Sequence, residues 1–275
     1  MYKLIEKEIF SENVIKLVIE APEIARSRKP GHFVIIRVDE KGERIPLTIA
    51  GADEIKGTIT LVVQRVGVTS WKLTNLKPGD FVLDVAGPLG KATHIEKVGT
   101  ILCAGGGVGV APLLPIAEGL KKAGNRIVTV IAARSKDLVI LEKQIREFSD
   151  ELIIMTDDGS YGTKGLVTYG MEEVIKREKV NMSVVIGPPV MMKFASMLTK
   201  KYNIPTVASL NTIMVDGTGM CGACRCSVDG KTRFVCTDGP EFDAHAVDFD
   251  EMIQRLGAYK DKEVEAYQEY LKTIS

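Results

Sequence analysis

Three of the chain's five cysteines lie within six residues, at positions 221, 224 and 226, and a fourth follows at Cys236. Clustered thiols can form disulfides, bind a zinc ion or hold an iron–sulfur cluster. The first residues, MYKLIEKEIF, carry charge from position 3 and lack the apolar stretch of a secretory signal, so we expect a cytoplasmic protein. Cytosolic thiols stay reduced, which favours metal binding or redox chemistry over disulfides.

The spacing of these cysteines distinguishes a zinc site from an iron–sulfur cluster. A structural zinc site usually pairs two short knuckles, whereas this segment has one, Cys221-x₂-Cys224, and His245 is poorly spaced to complete a set. Plant-type [2Fe–2S] sites read C-x₄-C-x₂-C…C. The positions that match this spacing are Asp216, Cys221, Cys224 and Cys236, with aspartate in place of the first cysteine. We therefore predict that these four residues hold a [2Fe–2S] cluster, since a carboxylate has the same formal charge as a thiolate.

The fourth ligand of this predicted cluster has two candidates. Cys226 is separated from Cys224 by one residue, so joint binding to one iron would strain the loop, and the alternative for Cys226 is a small buried residue. The alternative for Asp216 is a turn-forming residue before Gly217. We favour Asp216 as the ligand and expect Cys103, within an apolar strand, to belong to the core.

A glycine-rich turn, AGGGVGVAP, begins at residue 104 between an apolar strand and a predicted helix. Glycines here let backbone N–H groups approach a pyrophosphate, and the helix N-terminus favours its negative charge. A tight turn without a ligand would have the same pattern, but the position in the first strand–helix unit favours nucleotide binding. The predicted contacts are Gly106, Gly107, Gly109 and Pro112.

Charged residues follow the next two predicted strands, Arg134 after the second strand of this unit and Asp157 and Asp158 after the third. A 2′-phosphate on the adenosine ribose favours arginines, whereas acidic residues favour an unphosphorylated ribose. We therefore predict that the nucleotide is NAD(H) rather than NADP(H). Either aspartate would serve equally well as the cap of a turn.

The elements that must position these residues fall into four segments. Residues 1–97 are short, Val- and Ile-rich strands separated by turn residues, which predicts an antiparallel β-barrel or sandwich. Residues 98–208 alternate apolar strands with helices, a pattern typical of a doubly wound α/β domain with a parallel sheet. Residues 209–246 are rich in Gly and Cys and form the predicted cluster domain, and residues 247–275 have apolar residues near helical spacing, which predicts a helical tail.

The composition excludes several classes of partner. The chain has 275 residues, no net charge, 45% hydrophobic and 26% charged residues, which is typical of a globular protein with more than one domain. A neutral charge balance gives no reason to expect nucleic acid or an anionic membrane surface as a partner. No apolar run reaches the roughly 18 residues needed to span a bilayer. We therefore expect neither nucleic acid nor a membrane as a partner.

Two further motifs lie in the predicted barrel, RIPLTIAG from residue 44 and GVTSWKL from residue 67. In the order barrel, R-x-P-L-T, G-x-x-S and G-x-G-x-x-P, they resemble the ferredoxin-reductase superfamily over nearly the whole chain. The resemblance implies that the barrel binds FAD and that the α/β domain binds a nicotinamide nucleotide.

The resemblance also implies roles for single residues. Arg44 would contact the flavin pyrophosphate, and Thr48 would lie at the reactive edge of the isoalloxazine as the predicted catalytic residue. The residues implied to line the isoalloxazine are Pro46, Leu47 and Thr48, and those implied to bind phosphate are Gly67, Thr69 and Ser70. Leu47 replaces the family's aromatic residue, and Gly187 and Pro188 follow an isoleucine where the family has a cysteine near the nicotinamide.

An FAD barrel, a nucleotide domain and a [2Fe–2S] domain, in this order, resemble two families of electron-transfer subunits. One belongs to NAD-dependent dihydroorotate dehydrogenase and uses four cysteines. The other is the small subunit of NADH-dependent ferredoxin:NADP oxidoreductase, which Asp216 and the helical tail favour. That resemblance implies an enzyme subunit that works with a larger iron–sulfur flavoprotein in flavin-based electron bifurcation and meets ferredoxin only indirectly. The alternatives are a stand-alone NADH reductase and a zinc-bound regulator without catalysis.

Overall fold

A computed structural model describes residues 1–274 of the chain, with side chains as far as residue 273, so that residue 275 of the predicted tail lies outside it. The strands of the first sheet are β1 (Tyr2–Ser11), β2 (Val14–Glu20), β3 (Phe33–Arg37), β4 (Arg44–Asp53), β5 (Thr58–Gln64), β6 (Phe81–Val82) and β7 (Asp84–Leu89). They form a nearly closed antiparallel barrel in the order β6-β1-β2-β5-β4-β3-β7. The helices of this region are α1 (Pro22–Ser27) and α2 (Val68–Asn75).

The barrel follows from the period-two alternation of its strands. Leu17 of β2 pairs with Leu61 of β5, and Ile19 pairs with Ile59 two residues further on. All four side chains are fully buried. A shift of one residue would turn this apolar row to solvent, so the alternation specifies the register.

The second sheet contains the strands that carry the glycine turn and the charged residues. Its strands are β8 (Thr100–Gly106), β9 (Arg126–Ala133), β10 (Glu151–Thr156), β11 (Thr163–Lys164), β12 (Met182–Ile186), β13 (Thr206–Ser209) and β16 (Glu241–Asp243). They have the order β11-β10-β9-β8-β12-β13-β16 and are parallel except for β16. The helices are α3 (Val110–Lys122), α4 (Glu142–Glu147), α5 (Val167–Arg177) and α6 (Pro189–Lys201). This sheet and its helices confirm the predicted doubly wound architecture.

The strand order of this sheet reverses beside β8. The chain runs outward from β8 to β9 and β10, and then returns to place β12 on the other side of β8. Such a reversal opens a crevice at the carboxyl ends of the strands, where ligands of these folds bind. The strand β8 is buried on both faces, and Cys103 within it is fully buried, as expected of a core residue.

The segment after β13 contains a long loop over residues 211–224, followed by a small hairpin and three helices. The hairpin joins β14 (Arg225–Val228) to β15 (Lys231–Phe234) through Asp229 and Gly230, which both have positive φ angles, as a two-residue type I′ turn requires. The helices are α7 (Val235–Asp238), α8 (Phe249–Leu256) and α9 (Lys260–Ile274). No helix within residues 1–274 has the length and apolar character needed to cross a membrane.

Two features of the structure differ from the sequence-based expectations. The GVTSWKL motif lies in a region predicted to consist of strands and turns, but it forms helix α2 from Val68. The segment expected to form the cluster domain supplies β16, which pairs antiparallel with β13 and so extends the sheet of the α/β domain. The cluster segment is therefore joined to the α/β domain by backbone hydrogen bonds.

Candidate functional site

Strand β4 presents the residues of the R-x-P-L-T motif on two different faces. Residues two apart share a face of a strand, so Arg44, Pro46 and Thr48 lie on one side. Ile45 and Leu47 lie on the other side and pack against the core of the barrel. Leu47 therefore packs against the barrel core, and its predicted contact with the isoalloxazine stays a prediction.

The second barrel motif forms the first turn of α2. The hydroxyl of Ser70 accepts hydrogen bonds from the N–H groups of Val66 and Gly67, both at 3.0 Å, and donates one to the carbonyl oxygen of Gly67 at 2.9 Å. The side chain of Ser70 therefore holds the backbone of Val66 and Gly67 against the first turn of α2. Thr69 is buried beside it. The N–H groups of the first helical turn, residues 68–70, have no partner within the helix, so they are the donors that this loop can offer to a phosphate.

The glycine turn brings helix α3 against the neighbouring strand. A Cβ atom at Gly109 would lie 2.5 Å from the carbonyl oxygen of Ile186, so only glycine permits this approach, whereas a Cβ at Gly107 would meet nothing within 4 Å. No side chain caps the N-terminus of α3, and Pro112 stands in its first turn, where the missing N–H costs nothing. Open space above uncapped N–H groups fits a pyrophosphate.

The opposite side of this crevice is formed by Gly187 and Pro188, which follow β12 and precede α6. A Cβ atom at Gly187 would lie 3.1 Å from the backbone nitrogen of Gly106. The structure therefore brings these two predicted contact regions together at the point where the strand order reverses, although they are about eighty residues apart in the sequence.

The charged residues predicted to contact a ribose also meet at one edge. The N–H of Asp157 donates to the carbonyl of Ala133 at 3.1 Å, and that of Asp158 donates to the carbonyl of Arg134 at 3.2 Å. The carboxylate of Asp158 accepts hydrogen bonds from the hydroxyl and the N–H of Ser160, which lower its pKa. Asp158 therefore caps a turn while keeping its negative charge beside Arg134.

The buried cysteines of the long loop form a close pair. The sulfur atoms of Cys224 and Cys236 lie 3.2 Å apart, and the N–H of Cys236 points at the sulfur of Cys224 at 3.5 Å. Burial, together with the neighbouring Cys224, raises the pKa of Cys236 to about 12. Neither thiol forms a disulfide. Two buried thiols this close need a metal centre to stabilise them as thiolates.

Asp216 lies on the same side of the loop as this pair. Its carboxylate accepts hydrogen bonds from the N–H groups of Thr218 at 2.8 Å and Cys221 at 2.9 Å, which lower the pKa of Asp216. The charge of Asp216 raises the pKa of Cys236, and the N–H of Gly219 forms a hydrogen bond with Cys236 that lowers it. Cys221 is exposed at the surface of the loop. The structure therefore groups Asp216 with the loop cysteines.

Cys226 lies in different surroundings. It is buried in β14, and burial followed by the charges of Glu251 and Asp248 raises its pKa to about 11. Both acids belong to α8 or to its N-cap, so the thiol of Cys226 faces that helix. The close partner of Cys224 is Cys236 and not Cys226.

The loop offers one close pair of thiols as possible metal ligands. Within residues 1–274, no three His, Cys, Asp or Glu side chains converge as they would around a single metal ion. A [2Fe–2S] cluster divides its ligands between two irons, which requires pairs. The close sulfur pair in the structure is Cys224 with Cys236, and the carboxylate of Asp216 accepts a hydrogen bond from the backbone N–H of Cys221. Gly217, at a φ of +76°, turns the loop between Leu89 and Ile35, a space too narrow for any other side chain.

Two contacts of this region had no signal in the sequence. The carboxylate of Glu241 in β16 accepts a hydrogen bond from the hydroxyl of Thr93 at 2.5 Å, and burial raises the pKa of Glu241. The rings of Trp71 in α2 and Tyr270 in α9 meet edge to face, with centroids 5.8 Å apart. Each contact joins residues more than a hundred positions apart, so no local pattern could have revealed it.

Family models match both ends of the chain. Residues 1–94 match the oxidoreductase FAD-binding domain, and residues 211–248 match the iron-sulfur cluster binding domain of dihydroorotate dehydrogenase B. The first match covers the barrel, and the second covers the loop with the sulfur pair. These matches confirm the predicted FAD and iron–sulfur cofactors and exclude the zinc-bound regulator.

Relatives match over nearly the whole length. A dihydroorotate dehydrogenase B electron transfer subunit homolog from Thermotoga maritima is 46% identical over 98% of this chain and 96% of its own. The electron transfer subunit from Bacillus caldolyticus is 33% identical, over 88% of this chain and 95% of its own.

Solved structures extend this likeness to the fold. A chain of the NADH-dependent reduced ferredoxin–NADP oxidoreductase, a structure described for flavin-based electron bifurcation, has 44% identity and a TM-score of 0.94 over 98% of both chains. The cytochrome b5 reductase domain of Ulva prolifera nitrate reductase, at 21% identity and a TM-score of 0.59 over 74% of this chain and 92% of its own, shares the fold alone. The chain therefore belongs to the family of dihydroorotate dehydrogenase B electron transfer subunits and their homologues, flavin and iron–sulfur oxidoreductases that carry a C-terminal cluster-binding domain.

Proposed function

We propose that the chain is the electron-transfer subunit of an electron-bifurcating NADH-dependent ferredoxin:NADP oxidoreductase, and that it moves electrons between NAD(H), FAD and a [2Fe–2S] cluster. The observation that carries this proposal is the buried Cys224–Cys236 pair with Asp216 beside it. The structural match at 44% identity to a chain of such an enzyme supports it. When bound, FAD takes two electrons from NADH as a hydride and releases them singly to the one-electron cluster.

The residues proposed to hold FAD belong to the barrel, residues 1–97. Arg44 supplies the positive charge for the pyrophosphate, and Pro46 and Thr48 share its face of β4. The first-turn N–H groups of α2 donate to phosphate, while Gly67 and Ser70 keep that loop closed and Thr69 packs beneath it. Thr48 pairs with Phe33 of β3, and its strand β4 contacts helix α3 of the α/β domain.

The residues proposed to hold NAD(H) lie in the α/β domain, residues 98–208. The uncapped N-terminus of α3 and the turn from Gly106 to Gly109 receive the pyrophosphate. Gly187 and Pro188 form the border of the crevice on the side of the nicotinamide. Arg134 and the two aspartates lie at the ribose edge, where the negative charge of Asp158 disfavours a 2′-phosphate.

The residues that would hold the cluster lie in residues 209–246 and are Asp216, Cys221, Cys224 and Cys236. The amides of Cys236 and Gly219 stabilise negative charge on the sulfurs. The N–H groups of Thr218 and Cys221 keep the Asp216 carboxylate ionised, which a metal ligand requires. The remaining segment, residues 247–275, is the tail.

The proposed partner is a larger iron–sulfur flavoprotein in a cytoplasmic complex, with ferredoxin met only through that partner. The chain spans nearly the full length of its relatives, and these are electron transfer subunits by name. Purification of the native complex tests the proposal. We expect flavin and iron–sulfur absorbance in this chain and a co-purifying iron–sulfur flavoprotein that reduces ferredoxin only when both nicotinamide nucleotides turn over. A chain that purifies alone and is fully active as an NADH reductase would contradict it.

A second candidate function is electron transfer for dihydroorotate oxidation. The cluster family model and the relatives at 33% identity, which are named for dihydroorotate dehydrogenase B, favour it. Asp216 in place of a cysteine disfavours it. The same purification separates the two functions, since a co-purifying subunit that oxidises dihydroorotate would support this second function.

A further inference from the structure

The tail begins with a helix that is attached to the cluster segment. The N–H of Asp248, the N-cap of α8, donates to the carbonyl of Ser227 at 2.9 Å, and the carboxylate of Glu251 accepts from the N–H of Ser227 at 3.2 Å. One turn further on, Arg255 donates to the carbonyl of Ala223 at 3.4 Å. Ala223 lies between two of the proposed cluster ligands, so α8 holds the cluster loop from outside.

The tail ends with a helix that reaches the barrel. The ring of Tyr270 meets the ring of Trp71 at 5.8 Å and an angle of 73°. Lys72 lies 6.0 Å from the same tyrosine ring and forms an ion pair with Asp39 at 2.8 Å. The guanidinium of Arg65 lies 5.6 Å from the Trp71 ring, so Trp71 is held by the barrel as well as by the tail.

Helix α9 is otherwise mostly in contact with solvent. Over residues 260–273, only Tyr267 and Tyr270 are half-buried, whereas Val264 is 48% exposed and Leu271 36% exposed. A helix of fifteen residues is marginal in water without tertiary packing. The contact of Tyr270 with α2 is therefore a principal source of order for α9.

We propose that the tail is a brace that ties the cluster loop to the flavin-phosphate helix α2, with Tyr270 as the positioning residue at its barrel end. The proposal rests on the proposed function, because it takes the first turn of α2 as the phosphate site. Trp71 follows Ser70, the residue that closes this turn, so the edge-to-face contact restrains the turn from outside. Undocking of α9 removes this restraint and speeds the release of FAD.

The variant that tests the brace is Tyr270→Ala in the full-length holoprotein. An edge-to-face ring pair changes an equilibrium by about 2- to 12-fold, so we expect the undocked fraction of α9 to rise by that factor. Trp71 is the chain's single tryptophan, so its emission reports the contact and should shift to the red. Trypsin should release the tail about 2- to 12-fold faster, because cleavage follows the open fraction.

The release of FAD is the decisive readout. After dilution of the holoprotein, free flavin should appear about 2- to 12-fold faster from Tyr270→Ala than from the parent chain. Tyr270→Phe keeps the ring pair and should restore the parent rate. Val264→Ala, on an exposed position of the same helix, is the matched control and should also release FAD at the parent rate.

Three results would contradict the proposal, and each concerns a different step of it. Unchanged Trp71 emission and unchanged tail cleavage in Tyr270→Ala would show that α9 does not dock on α2. Faster tail cleavage with unchanged FAD release would show that the docked tail restrains nothing, and the brace would be refuted. A parent chain that binds no FAD at all, yet shows the Trp71 shift in Tyr270→Ala, would refute the proposed function and with it the role of the brace in flavin retention, while leaving the docking itself intact.

Discussion

The nucleotide sites and the cluster site of this protein are built in opposite ways. The candidate FAD and NAD(H) contacts lie at strand ends and helix N-termini, where two seven-stranded sheets hold the backbone in place. The candidate cluster ligands come from a loop without regular structure over residues 211–224 and from the short helix α7. The first kind of site needs no ligand to keep its shape, whereas the second consists of side chains that must lose protons to work.

The raised pKa of a thiol in the cluster loop shows how the cluster site differs from the nucleotide sites. Burial raises the pKa of Cys236 to about 12, so this thiol carries its proton at neutral pH unless a metal replaces it. Metal binding and ordering of the loop are therefore coupled, as in other small metal-binding domains. Loss of the metal should loosen the cluster segment and leave the barrel and the parallel sheet intact.

The largest expected effect follows from removal of one member of the sulfur pair. Cys236→Ser should abolish the iron–sulfur absorbance while FAD remains bound, because the candidate FAD contacts lie on β4 and α2 and none of them belongs to the cluster loop. Absorbance spectra and iron analysis of the purified protein measure both cofactors. Cys103→Ala, in the core of the parallel sheet, is the control and should keep the cluster. Loss of FAD together with the cluster would show that the two sites are not independent.

The next effect concerns the fourth cluster ligand. Asp216→Ala should make the cluster labile, whereas Cys226→Ser should leave its EPR spectrum almost unchanged, because Cys226 faces α8. A carboxylate donates less electron density to iron than a thiolate, so the cluster potential should lie above the roughly −400 mV of plant-type ferredoxins, and Asp216→Cys should lower it. A destroyed cluster in Cys226→Ser with an intact one in Asp216→Ala would assign the ligand to Cys226.

A smaller effect is expected at the candidate FAD site in the barrel. Arg44→Ala should weaken FAD binding about tenfold or more, since a charge-assisted contact to phosphate contributes about 1.5–3 kcal/mol. Flavin content after dialysis is the measurement, and the cluster signal should not change. Lys41→Ala, which removes an exposed charge from the same hairpin, is the control and should keep its flavin. Equal flavin loss in both variants would speak against a specific role for Arg44.

The smallest expected effect is the choice of nucleotide. The flavin bound to the chain should be reduced faster by NADH than by NADPH. Asp158→Asn should lower the ratio of these two rates by about fivefold or less, because exposed charges contribute about 1 kcal/mol at most. Asparagine keeps an oxygen that can accept from Ser160, so the turn should persist. Flavin reduction in a stopped-flow instrument, with Asp243→Asn as a remote control, measures the preference. Equal or faster reduction of the parent chain by NADPH would refute the prediction.

Local patterns in the sequence were sufficient for the architecture and for the iron–sulfur cofactor, whereas the four individual ligands stay predictions. The alternation in β2 and β5 predicts strands with one buried face, because residues two apart share a face, but it leaves a barrel and a sandwich equally open. The glycine turn after an apolar strand predicts the nucleotide crevice. The structure gives the reason for one of its glycines, because a Cβ atom at residue 109 would collide with the carbonyl oxygen of Ile186. The spacing of Cys221, Cys224 and Cys236 predicts an iron–sulfur centre.

Only the tertiary structure decided which side chains face one another. The sequence by itself left Asp216 and Cys226 as rivals. The fold places Cys226 in β14 facing α8, whereas the carboxylate of Asp216 accepts hydrogen bonds within the cluster loop, and this favours the prediction that Asp216 is the ligand. The tertiary structure also packs Leu47 against the barrel core and brings the ring of Tyr270 into contact with that of Trp71. Spacing along a chain determines which residues can share a turn or a face, whereas contacts between distant segments depend on how whole elements pack, which no local pattern encodes.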